Sequence, residues 1–137
     1  MDAARRFGDA RRMTDTTTDI TTTVEGYLAA WNERDPQRRA ELIERVWSPD
    51  GRLIDPPLTG EGHAGISEAA AALHEHYAGH AFERTSGVDV HHDHLRFAWQ
   101  LVGPSGEVAV SGIDVADLAE DGRLARVVGF FGDLPER

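Results

Sequence analysis

The chain contains no cysteine, which excludes disulfides, thiolate metal sites and thiol nucleophiles. Lysine is absent too. All 14 basic residues are arginine, so Schiff-base chemistry and lysine general bases are excluded. No apolar run approaches the length of a membrane span, and no charged start followed by a hydrophobic stretch marks a secretory signal; the expected location is the cytoplasm, away from membranes. Neither G-x-G-x-x-G nor G-x-x-x-x-G-K occurs, which removes two common phosphate-cradling loops, and there is no G-x-S-x-G elbow of a serine hydrolase. Positive charge is scarce: the formal net charge of −10 disfavours general nucleic-acid binding. The remaining chemistry belongs to carboxylates, histidines, tyrosines and arginines.

With 137 residues the chain suits one domain around one core. Residues 1–18, with Arg5, Arg6, Arg11, Arg12 and a threonine-rich end, have few apolar side chains and are expected to be an unordered extension; 19–137 then form the domain. Ile20, Val24, Tyr27, Leu28 and Trp31 make one apolar stripe on a helix from Asp19 to Glu33. Asp35 as N-cap and Pro36 at the first helical position open a second helix. It carries Ala40, Ile43, Val46 and Trp47 on one side and ends before the turn signature SPDG. RLIDPP reads as a short strand stopped by its prolines. A third helix, Gly65 to Tyr77, shows Ile66, Ala69, Ala70, Leu73 and Tyr77 on one face. Period two then takes over in AFERTSGVDVHH, HLRFAWQLV, EVAVSGIDVADLA and LARVVGFFG, with hairpin turns at GPSG and EDG. The expected architecture is α+β: three N-terminal helices covering a cone-shaped, curved antiparallel sheet.

Asp114 interrupts an otherwise apolar strand, on the face of Val108, Val110, Gly112 and Ala116. A carboxyl there must be paired, solvated in a cavity or kept protonated. Asp55 closes a strand just before Pro56-Pro57, where it serves either a turn or a pocket rim. Tyr27 lies within the helical stripe, as a core residue with one hydrogen bond or as a donor into a cavity. The histidines of HEHYAGH and HHDH invite a metal, but H-E-x-x-H would need histidine at Ala78. His74 and His76 also point about 200° apart on a helix, so no metal is expected.

These elements in this order resemble the nuclear-transport-factor-2-like superfamily, which includes SnoaL-like proteins and ketosteroid isomerases. The resemblance spans about residues 20–133. It rests on YLAAWNERD, WSPDGRLIDPP, GHAGI and the closing GIDVADLAEDGRLARVVGFFGD. It implies an NTF2-like, cystatin-like roll and an isomerase site without cofactor, with Asp55 as general base and Tyr27 and a protonated Asp114 as oxyanion donors. The implied cone is lined by Trp31, Phe97, Trp99, Leu101, Val127 and Phe131 and takes a small hydrophobic carbonyl compound. Two alternatives stay open: a SnoaL-like polyketide cyclase closing a ring by an aldol-type step, and a non-catalytic small-molecule-binding module. The apolar outer face Ala109, Ser111, Ile113 and Val115 leads to an expected homodimer.

Overall fold

The structure is a computed structural model that describes the backbone of residues 7–137 and side chains from Asp19 onward. The expectation for residues 1–18 lies outside this fully described range. Three helices, α1 (Phe7–Asn32), α2 (Pro36–Val46) and α3 (Gly62–His76), pack on seven strands: β1 (Trp47–Ile54), β2 (Thr59–Glu61), β3 (Ala81–Arg84), β4 (Asp89–His91), β5 (His94–Val102), β6 (Val108–Leu118) and β7 (Leu124–Phe131). The sheet order is β2-β1-β7-β6-β5-β3, with β4 also on β5. This is the expected α+β roll, with one correction: β1 runs parallel to β7, so the curved, open sheet is mixed and not wholly antiparallel. A parallel pair needs a long crossover, which the whole chain between β1 and β7 supplies.

The apolar stripe of α1 is buried as read, and Tyr27 is buried with it. Asp35 caps α2 by accepting the Arg38 N–H at 2.9 Å, with Pro36 at the helix start. Two details of α2 differ from the pattern. Ala40 is exposed and Arg39 is buried in its place. There Arg39 donates to the Glu33 carbonyl at the end of α1 (2.9 Å) and to Ser67 Oγ on α3 (3.1 Å). Trp47 is not helical; it begins β1, paired with Leu124, and SPDG continues that strand with a register irregularity. Sheet pairing has overridden the local turn signal. AFERTSGVDVHH divides into β3 and β4 because Ser86 Oγ accepts the Ala98 N–H (2.8 Å), a side chain taking a place in the ladder.

One sheet face meets the helices: Leu95, Phe97, Trp99 and Leu101 of β5, with Asp114 and Ala116 of β6, are buried. Ile113, Val115 and Phe130 point the other way and are 46%, 38% and 60% exposed.

Candidate active site

Three neighbouring strands bring the two acids together. Asp114 on β6 is directly opposite Gly129 on β7. On the far side of β7, Ile54 pairs with Val128, and one step further along the same register brings Asp55 beside Gly129. The glycine leaves the space into which both carboxyls lean: a Cβ there would overlap Asp55 Oδ1 and lie 3.0 Å from Asp114 Oδ1. Asp55 is fixed just past the strand end by a tight turn, its N–H donating to the Leu58 carbonyl at 2.9 Å across Pro56-Pro57.

Asp114 accepts two hydrogen bonds, from the Tyr27 hydroxyl to Oδ2 (2.7 Å) and from Trp99 Nε1 to Oδ1 (3.0 Å). Trp99 reaches it because Gly112, its partner on β6, has no side chain; a Cβ at 112 would lie 2.6 Å from the indole ring. Edge-to-face contacts with Phe82 and Phe131, at centroid distances of 5.2 and 5.3 Å, hold that ring. Tyr27 is held by Trp47 at 5.9 Å and Phe97 at 6.0 Å. Asp55 Oδ1, by contrast, is buried with no hydrogen-bond partner among the described residues.

The electrostatics follow from this asymmetry. Burial first, and then the charge of Asp114, push Asp55 up to about 7, against a smaller pull from the nearby Gly129 backbone. Burial pushes Asp114 up to about 6, while the bonds from Tyr27 and Trp99 pull it down. Both carboxyls are therefore held above the ordinary carboxylate range, and the two titrate as a coupled pair. Tyr27 is raised well above its ordinary range by burial, then by the charges of Asp114 and Asp55 and the bond to Asp114, with the Trp31 side chain opposing.

Asp55 lines an apolar cavity, and Asp114 lines a small recess beside it. The main chamber, about 480 Å³, is walled mainly by apolar side chains, among them Trp31, Phe82, Trp99, Leu101 and Phe131, with Asp55 and His76 also in its lining. The recess, about 20 Å³, shares Trp31, Asp55, Phe82, Trp99 and Phe131 with it and adds Tyr27 and Asp114. That is room for one water or one carbonyl oxygen. Of the residues read as pocket-forming, Trp31, Trp99, Leu101 and Phe131 line the cavity. Phe97 and Val127 lie in the core outside its lining. Sequence reasoning missed Phe82, which Asn32 fixes by accepting its N–H (2.7 Å) and donating to its carbonyl (3.0 Å). The only available signal was its place in an alternating segment. Among the described residues, no group of three or more histidine or acidic side chains converges to hold a metal, and no helix is long and apolar enough to cross a membrane.

The acid pair thus lies beside an apolar cavity, between a helical layer and a curved sheet. The chain belongs to the SnoaL-like family, whose domain matches residues 24–127. A protein from Agrobacterium tumefaciens strain C58, named as a candidate isomerase of the SnoaL-like family, is 37% identical to it. The two superpose with a TM-score of 0.80, covering 85% of this chain and 99% of that one. A candidate SnoaL-like polyketide cyclase from Jannaschia sp. CCS1 is 21% identical, with a TM-score of 0.62 over 81% of this chain and 85% of that one. A candidate polyketide cyclase from Sinorhizobium meliloti is 19% identical, with a TM-score of 0.65 over 83% and 98%. The last two share the fold. No curated protein matches the chain.

Proposed function

We propose that the protein moves a proton between carbons beside the carbonyl of a small hydrophobic ketone, shifting a double bond without a cofactor. The observation that carries this reading is the Asp55 carboxyl, poised at about 7 with Oδ1 buried and unpaired among the described residues, in an apolar cavity whose recess also holds Tyr27 and Asp114. Asp55, when ionised, takes a proton from the α-carbon. The electron pair left by that C–H bond moves onto the carbonyl oxygen, where the Tyr27–Asp114 unit meets the developing charge. Asp55 then returns the proton to the far carbon of the extended enolate, so that one C–H bond breaks, another forms and the double bond moves. A base whose pKa lies near the working pH is the efficient choice. The likeness to the Agrobacterium protein, named as a candidate isomerase, supports this direction.

A SnoaL-like cyclase is the second reading. Aldol ring closure begins with the same abstraction, and two structural neighbours are named as candidate polyketide cyclases. The test common to both is hydrogen–deuterium exchange at the α-carbons of cyclic enones and keto-esters in D2O, followed by NMR. Exchange should fall by roughly 10²–10⁴ in Asp55→Asn. Ligands that bind with no exchange above background would leave a binding module. Cyclic product from a keto-ester would favour the cyclase. We also propose a homodimer closed over the exposed face of β6 and β7, where Ile113, Val115 and Phe130 lie together.

A further inference from the structure

Trp99 assigns a direction to the proton on Asp114. An indole N–H donates and cannot accept. Asp114 Oδ1, 3.0 Å from Trp99 Nε1, is therefore an acceptor whether the acid is ionised or neutral. A neutral Asp114 must carry its proton on Oδ2, the oxygen 2.7 Å from the Tyr27 hydroxyl. With the proton there the bond reverses. Oδ2–H donates to the Tyr27 oxygen, and the Tyr27 O–H is freed for the recess that both residues line. With Asp114 ionised, the Tyr27 proton is consumed by the carboxylate and Tyr27 offers the recess no donor.

We propose that Asp114 and Tyr27 act in series, Asp114 donating to Tyr27 and Tyr27 alone donating to the ligand oxygen, with Trp99 as the positioning residue that fixes this direction and sets the pH at which the relay disarms. The inference rests on the carbonyl-ligand reading above. It differs from an oxyanion hole in which the tyrosine and the acid touch the oxygen side by side. The geometry favours series: both Asp114 oxygens already have hydrogen-bond partners, Tyr27 and Trp99, and Trp99 cannot turn away, being packed between Phe82 and Phe131 over Gly112. Asp55 and Asp114 titrate close together, at about 7 and about 6.

The probe is 9-fluorenone, a flat ketone with no α-hydrogen, followed by affinity and by its infrared carbonyl stretch. The stretch should move to lower frequency below the pH at which Asp114 ionises and return above it. Asp114→Asn, whose amide can donate to Tyr27 at every pH, should keep the low-frequency band throughout. Replacing Trp99 by its benzothiophene isostere, which keeps the shape and lacks the N–H, should move the return upward by about one pH unit; Trp99→Phe is the simpler companion. Tyr27→Phe should weaken binding roughly tenfold or more, and adding Asp114→Ala should weaken it no further, as a serial pair requires. Additive losses, or a band indifferent to pH and to Trp99, overturn the relay while leaving the carbonyl-ligand reading intact. Failure of fluorenone and other flat ketones to bind overturns that reading and the relay with it.

Discussion

Asp55→Asn should stabilise the fold at alkaline pH while removing activity. A carboxyl moved from 3.8 to about 7 carries about 4 kcal/mol of penalty when ionised, at about 1.36 kcal/mol per pH unit. Asp55 is partly exposed, and part of its shift comes from the charge of Asp114, so the expected gain is on the order of 2–4 kcal/mol. The sign is set by linkage. A raised carboxyl binds its proton more tightly in the folded chain than in the unfolded one. Its stabilising contribution is complete below 3.8 and is lost as pH rises through about 7. The amide imitates the protonated acid at every pH. Urea unfolding from pH 4 to pH 8.5, at constant m-value, should show wild type and Asp55→Asn nearly equal at pH 4, diverging until about pH 7 and parallel beyond it. A difference independent of pH, or a variant less stable than wild type at pH 8.5, would refute the claim that Asp55 is a destabilised acid held for chemistry.

Gly129→Ala puts a methyl group onto Asp55 Oδ1 and against Asp114 Oδ1; ligand binding should be lost, with roughly 1–3 kcal/mol of stability, as titration calorimetry and thermal unfolding would record. Asn32→Ala removes both bonds to Phe82 and should cost about 1–3 kcal/mol in urea unfolding, with weaker ketone binding because a cavity wall is freed. Ile113→Arg charges the exposed sheet face. Sedimentation velocity should show a dimer for wild type and a monomer for the variant, and a monomeric wild type at micromolar concentration would sink the dimer.

What the sequence disclosed about the fold was whatever is local and periodic. Ile20 through Trp31 repeat at helical spacing, and their stripe is the buried one. Asp114 shows on the inner face of β6 because alternation alone puts it there. Trp47 was misplaced because helical periodicity runs through it, while its strand state comes from Leu124, 77 positions later in the chain. Nor does any local signal say that β1 lies parallel to β7. Phe97 and Val127 share the inner face with the cavity residues, and alternation cannot separate a cavity wall from the floor beneath it. Tyr27 packs edge-on over Phe97, and this puts the ring in the core.

The candidate site divides in the same way. Asp55, Tyr27 and Asp114 could each be nominated by residue type and place in an element. Their relations were hidden, because these depend on two glycines whose importance is non-local. Gly129 matters only when β1 and β6 flank it, and Gly112 only when Trp99 pairs with it. In a sequence each looks like a weak point in a strand. In the sheet each is the absence of a side chain that lets a neighbour reach across: Asp55 toward Asp114, and the Trp99 N–H toward Asp114 Oδ1. The same crossing explains why Trp99, legible as an apolar wall, also acts as a polar group. Its ring faces the cavity while its one donor is committed beneath the surface, and on that commitment depends which oxygen of Asp114 can hold a proton.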